Sequence, residues 1–224
     1  MRPLKHGYTN RTATDGTVVA KTYEGPGADL RLRGERLLLE RLQGRLPVPP
    51  VRAADARTLT LGLMAGVPGQ ELLEEQPAAV LAGCGEMLRR IHATPPDVLA
   101  GDGGEAAAGG VLVHGDFGPQ NVLLDPGTFA VTAVVDWEFA HVGDPVEDLA
   151  WCEWIVRMHH PHHRHHLPAF FRAYAAQVPP WPVRRRAMLD RCEALRRFCA
   201  REEPDGPGVR LWRERTTLTS GWRE

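Results

Sequence analysis

Eight consecutive residues, His114-Gly-Asp-Phe-Gly-Pro-Gln-Asn121, constrain this chain more than any other feature of it. They are polar or turn-forming and lie between two short apolar runs, Val111–Val113 and Val122–Leu124. A third run, Phe129–Val135, ends directly on Asp136. Short β-prone runs bounded by turn residues read as strands. A loop strung between two of them, with a carboxylate at Asp116 and an amide oxygen at Asn121, can aim both groups at one point. An aspartate leaving the next strand brings a third oxygen donor beside them. Oxygen donors held together in this way suit a divalent cation that carries a polyphosphate. Taken singly, Asp and Asn are ordinary turn residues; the spacing and the flanking strands are what set these three apart.

Around this centre the pattern changes from strand-rich to helical. Thr12–Tyr23 reads as a hairpin turning at Asp15-Gly16, between runs of β-prone residues. Gly25-Pro-Gly27 interrupts the chain. Asp29 then caps a predicted helix to about Gln43, with Leu30, Leu37, Leu38 and Leu42 as its apolar face. Pro47, Pro49 and Pro50 end it, and residues 51–54 and 58–64 suggest a second strand pair. After the connector Ala65-Gly-Val-Pro-Gly69 a helix starts at Pro77, with Val80, Leu81, Cys84, Leu88 and Ile91 on one face. Residues 95–110 read as a loop. From about Pro145 the chain is mostly helical, broken at Pro179-Pro-Trp-Pro182. The expected fold class is therefore α+β in two lobes: residues 1–67, a strand-rich N-lobe with one helix, and residues 68–224, a larger and mainly helical C-lobe.

Composition removes several function classes. Met1–Gly7 has no apolar signal region and no run is long enough to span a bilayer, which predicts a cytoplasmic protein with no membrane partner. The four cysteines are scattered without a C-x-x-C pair and read as small buried side chains. Residues 71–138 hold 11 acidic and only 2 basic side chains, whereas 139–224 hold 14 basic and 11 acidic. An acidic middle flanked by basic ends is unlike the concentrated basic face of a nucleic-acid binder. Lys5 and Lys21 are the only lysines among 27 basic residues, so Lys21, at the end of a β-prone run, stands out.

His114-Gly-Asp116-x-x-x-x-Asn121, then Val134-Val-Asp136-Trp-Glu138, then Gly143-Asp-Pro-x-x-Asp148-Leu-Ala150, resembles the ordered signatures of the aminoglycoside phosphotransferase/choline kinase family, which has a protein-kinase-like fold. The resemblance covers about 40 residues. It implies an ATP-dependent O-phosphotransferase, with GTP as the alternative donor, using Mg2+ and a small-molecule hydroxyl acceptor. By it Asp116 is the catalytic base, Asn121 and Asp136 are the metal ligands, and His114 and Asp148 support the loop. In the first lobe Gly7-x-x-Asn10 resembles the phosphate-covering turn, Lys21 the phosphate-holding lysine and Glu35 its ion-pair partner. Met64 to Val67 resemble the hinge beside the nucleotide base. Glu138 and Trp151 are candidates for contact with the acceptor. The sequence departs from the family pattern in having only six residues before Gly7, which predicts a first strand that is short or missing, and in having Ala65 where an acidic residue is common.

Other readings stay open. Lys21 and Glu35 could be a surface ion pair of small energetic consequence, and Asp148 a helix cap. Trp137, Trp151 and Trp154 are more often core than substrate contacts. Six of the ten histidines fall in His159–His166, which reads as a solvated loop between helices. A kinase fold without activity, serving in binding or regulation, is the alternative function. The basic character of 139–224 weighs against a polycationic acceptor and leaves antibiotics of other kinds, sugars, amino alcohols and natural-product intermediates open.

Overall fold

The computed structural model describes residues 1–3, 10–99, 109–175 and 177–224. The first sheet is antiparallel and contains β1 (Arg2–Pro3), β2 (Arg11–Thr14), β3 (Val18–Thr22), β4 (Val51–Ala54) and β5 (Thr58–Gly62) in the order β1-β2-β3-β5-β4. The hairpin turn at Asp15-Gly16 is where the sequence places it. Asp15 Oδ1 accepts from the amides of Thr17 and Val18, and Gly16 takes φ 96°. β1 has two residues. Between β3 and β4 runs α1 (Ala28–Leu42).

The apolar face of α1 differs from the one expected. Leu38 and Leu42 are buried, but Leu30 and Leu37 are 69% and 49% exposed. The buried stripe is Ala28, Arg31, Leu32, Glu35, Leu38, Leu39 and Leu42, spaced by three and four residues. It contains two charged side chains because they have partners inside the molecule, and that rotates the helix away from a leucine-only face. Asp29 lies in the first turn, where a negative charge suits the helix dipole, while the cap position is Gly27 at φ 67°.

The chain leaves β5 through residues 63–66 and enters β6 (Val67–Pro68), which pairs with β8 (Val122–Leu124). The boundary expected between residues 67 and 68 thus falls within a strand of the second sheet, β6-β8-β9, whose last member is β9 (Val131–Val134). Short α2 (Gly69–Leu72) leads to α3 (Pro77–His92). β7 (Val111–Val113) pairs with β10 (His141–Gly143) in a third sheet. α4 (Val146–His159), α5 (Leu167–Tyr174), α6 (Trp181–Ala200) and α7 (Pro207–Ser220) complete the helical lobe. The α+β, two-lobed expectation holds. The solvated loop expected over His159–His166 is instead the end of α4 followed by a 3-10 helix, Pro161–His166, whose buried His163 bonds Glu74 at 2.9 Å.

The main core runs from α1 and β5 through α3 to β8 and α5. α3 and α5 come close at Gly85, where an added Cβ would stand 2.2 Å from the carbonyl oxygen of Phe170. A second cluster gathers Trp151, Trp154, Met188 and Cys192 between α4 and α6. Among the described residues no helix is long and apolar enough to cross a membrane.

Candidate active site

The His114–Asn121 loop joins β7 to β8, strands of two different sheets. The pairing of Val122 with Val134 fixes what faces its end. One step beyond that pair, the Val135 amide donates to the Asn121 carbonyl at 2.9 Å, so Asp136 emerges beside Asn121. Asp136 itself takes φ 67°, a left-handed conformation that Asp tolerates better than most residues and that is found preferentially at functional sites. Inside the loop Asn121 Nδ2 donates to Asp116, at 2.9 Å to its carbonyl and 3.0 Å to Oδ2. The indole N–H of Trp151 donates to Asp116 Oδ1 at 2.7 Å. Both carboxylate oxygens are thereby oriented. Burial, and next the charge of Asp136, push the Asp116 carboxyl above its ordinary value against the pull of Arg191, Trp151 and His114.

The loop is held from behind. Gly115 has φ 82°, and a Cβ there would stand 2.4 Å from the Phe139 carbonyl oxygen, so only glycine fits. The fully buried Asp148, on α4, accepts from the amide of His114 at 2.7 Å and of Gly115 at 2.9 Å. His92 Nε2 is 3.2 Å from the same carboxylate, and His92 Nδ1 is 2.8 Å from the Tyr174 hydroxyl. His114 packs on Trp137 with ring centroids 4.6 Å apart, and its Nε2 meets the Val135 carbonyl at 3.1 Å. Asp148 is not a cap: that position belongs to Pro145.

The first lobe brings a cation to the same place. Lys21 Nζ donates to Glu35 Oε2 at 2.6 Å and contacts Asp136 Oδ1. Glu35 also accepts from the Tyr23 hydroxyl and, at 3.0 Å, from the Trp137 amide. Lys21 and Glu35 are not a surface pair, since both side chains are buried. Burial works to lower the Lys21 pKa, and Asp136 and Glu35 outweigh it, holding Lys21 well above its ordinary value. Burial likewise works to raise Asp136, and Lys21 outweighs it, leaving Asp136 low.

Other expected residues are placed differently. Gly7 lies outside the described residues. Asn10 does not stand free over a phosphate site: its amide donates to both oxygens of Glu138 at 2.9 Å. Glu138 is buried and pairs with Arg31 of α1. Trp151 is buried yet reaches Asp116. Trp137 and Trp154 are core. Met64 lies half-buried in the connector from β5 to β6; there the Thr132 hydroxyl holds the Ala65 carbonyl at 2.6 Å, and Val67 pairs with Leu124. Sequence reasoning missed Arg31, His92, Tyr174 and Arg191. Arg31 is one turn before Glu35 on the same helix face, a signal that a helical wheel carries. The other three have no local signal.

Carboxylate oxygens of Glu35, Asp136 and Glu138 lie within 4.8 Å of one another. Glu35 and Glu138 are taken up by internal partners, whereas the Asp136 side chain is 33% exposed. The Asn121 amide nitrogen is committed to Asp116, so its oxygen is the atom left for a cation. Asn121 and Asp136 therefore offer oxygen-only ligation of the kind that fits magnesium.

A family model described as the phosphotransferase enzyme family matches residues 1–109 and 104–189. The chain belongs to this family. Viomycin phosphotransferase of Streptomyces vinaceus is 49% identical over 41 residues, 17% of this chain and 14% of that protein. The chain spans far less than two thirds of the curated relatives it matches, between 4% and 14% of their length. Aminoglycoside 2'-phosphotransferase-IIIa, solved with GDP, superposes with a TM-score of 0.73 at 14% identity, over 97% of this chain and 91% of that one. A macrolide 2'-phosphotransferase from Brachybacterium faecium superposes with a TM-score of 0.63 at 21% identity, over 100% and 92% of the two chains. These likenesses show that this family member has the phosphotransferase fold.

Proposed function

We propose that the protein transfers the γ-phosphoryl group of ATP to a hydroxyl of a small molecule. The observation that carries this reading is Asp116. Its carboxylate is oriented by Asn121 and Trp151 and feels the charge of Asp136, and Gly115, its chain neighbour, and Trp151, its hydrogen-bond partner, line a cleft of about 780 Å3. A second cleft of about 680 Å3, lined by Arg157, Arg164 and Arg184, contains no residue of the loop.

In the proposed reaction Asp116 accepts the proton of the acceptor hydroxyl as its oxygen forms a bond to the γ-phosphorus. The bond from that phosphorus to the β–γ bridging oxygen breaks, and the nucleoside diphosphate leaves. The raised pKa of Asp116 makes it a better proton acceptor than a solvated carboxylate. Lys21, fixed by Glu35, supplies a cation for the donor phosphates. Magnesium, held by Asn121 and Asp136, would neutralise charge on the transferring phosphate. His114 and Asp148 hold the loop so that these groups need no rearrangement at the moment of reaction. One curated relative is named for viomycin and the solved neighbours for macrolide and aminoglycoside phosphotransferases, which supports a hydroxylated small molecule as acceptor, while four other curated relatives are named acyl-CoA dehydrogenase family members 10 and 11.

Asp116→Asn tests the reading. It should lower turnover by about 100- to 10,000-fold while binding of magnesium-ATP, measured by calorimetry, stays within a few-fold. Turnover close to wild type would sink the assignment. Failure of the wild-type protein to bind or hydrolyse magnesium-ATP would favour the alternative of a binding protein on a kinase scaffold.

A further inference from the structure

The cleft beside Asp116 has five charged or titratable side chains in its lining: His141, Glu147, Arg186, Asp190 and Arg191. Four of them cancel in pairs. Arg186 Nε lies 3.0 Å from both oxygens of Asp190, and His141 Nε2 lies 2.9 Å from Glu147. Arg191 is the one left over. Its guanidinium stands over the Phe139 ring at 5.1 Å and the Trp151 ring at 5.7 Å. Its Nε and Nη2 are buried and have no hydrogen-bond partner among the described residues. A buried donor without a partner is costly and its charge makes it costlier, which favours the arrival of a hydrogen-bond acceptor. The indole that Arg191 covers is the one whose N–H holds Asp116 Oδ1.

Resting on the phosphotransferase reading, we infer that Arg191 binds an anionic group of the acceptor, so that the substrate is a hydroxylated small molecule carrying a carboxylate, phosphate or sulfate. The planar guanidinium fork matches such groups bidentately, and the two aromatic rings hold it in place. An acceptor seated on Arg191 reaches across the Trp151 edge to Asp116, so its hydroxyl and its anion are a few bonds apart. The charge of Arg191 also opposes the repulsion that Asp116 and Asp136 exert on an incoming anion. A polycation would meet an unpaired guanidinium at the mouth of the catalytic loop. Specificity of this kind arises from a fixed repulsive charge as well as from the attractive contact.

The test uses the full chain with magnesium-ATP and three probes on one six-carbon frame: gluconate, glucose and glucosamine. Phosphate transfer gives KM, and calorimetry in the presence of magnesium-ADP gives Kd whether or not a probe is phosphorylated. Gluconate should bind about tenfold or more tightly than glucose, as a charge-assisted hydrogen bond implies, and glucosamine should bind most weakly. Arg191→Gln should raise the gluconate value about tenfold and move that of glucose less than twofold. Arg191→Lys, which keeps the charge and loses the fork, should fall between them. Equal or tighter binding of glucosamine, a gluconate preference that survives in Arg191→Gln, or no gluconate binding at all would overturn the inference. Hydrolysis of ATP with water as acceptor, abolished by Asp116→Asn, reads the phosphotransferase centre separately. If hydrolysis is present without an anion preference, only the acceptor inference fails. If hydrolysis is absent, the phosphotransferase reading fails whatever the probes do.

Discussion

At the scale of single residues, Lys21 concentrates the most consequence. It is buried between two carboxylates, so its loss strands both of them in a poorly solvated place. Lys21→Ala should cost about 3–5 kcal/mol of stability, the usual penalty for breaking a buried pair from one side, read by urea denaturation, and should abolish nucleotide binding. Gly115→Ala makes a different point, because the added methyl would meet the Phe139 carbonyl at 2.4 Å on a backbone at φ 82°. That variant should fold with a lowered Tm and lose most turnover, measured by ADP formation. Legibility at this scale followed chain distance. Asp116, Asn121 and Asp136 could be read because twenty residues of sequence and three short strands fix their meeting. Arg31 meets Glu138 across 107 residues, so its place on the Glu35 face of α1 could hint that it is buried but not name its partner, and Arg191 meets Trp151 only because α6 packs on α4, which nothing local announced.

Elements show the same division. The strands around the loop, the Asp15-Gly16 hairpin and the start of α3 at Pro77 follow from turn chemistry and short-range pattern. The face of α1 did not, because a helix carrying Arg31 and Glu35 inward violates the apolar stripe that periodicity looks for. Its orientation is set by the partners that those charges find in the other lobe. Contact between α3 and α5 depends on the missing side chain of Gly85. Gly85→Ala should force the helices apart at Phe170 and lower stability by about 1–3 kcal/mol, with a matching fall in the denaturation midpoint and little change in the KM for nucleotide.

Over the whole molecule, a relay of hydrogen bonds runs from Tyr174 on α5 through His92 on α3 and Asp148 on α4 to the loop amides. The Asp148 carboxyl is held below its ordinary value: burial acts to raise it, and His92, His114 and the amides outweigh burial. A lowered folded pKa gives stability that is complete above the unfolded value of about 4 and is lost as pH falls through the folded one. Acid unfolding of the wild type should therefore steepen below about pH 4, and Asp148→Asn should flatten that limb in a circular-dichroism titration while lowering stability at neutral pH. Arg31, Asn10 and Glu138 form the second long-range tie, joining α1 to the segment after Asp136. The two-lobed plan was legible as a change from strand to helix pattern, but this tie between the lobes was not: Asn10 and Glu138 read as facing ligands, and nothing in the sequence pairs either with Arg31.

The contact between Lys21 and Asp136 has a thermodynamic consequence for how ligands load. The ammonium group sits on the carboxylate that a cation would use, so an ion arriving alone must displace it and leave Lys21 short of a counter-charge. A polyphosphate arriving alone draws Lys21 away and leaves Asp136 unneutralised. When the two arrive together each repairs the deficit made by the other, and linkage requires the mutual enhancement to be equal in both directions. Thermal shift should accordingly show a small response to magnesium or to nucleotide separately and a more than additive response to both. On the proposed function, the Lys21–Asp136 pair would be a lock with two keys, favouring a loaded donor over either of its parts.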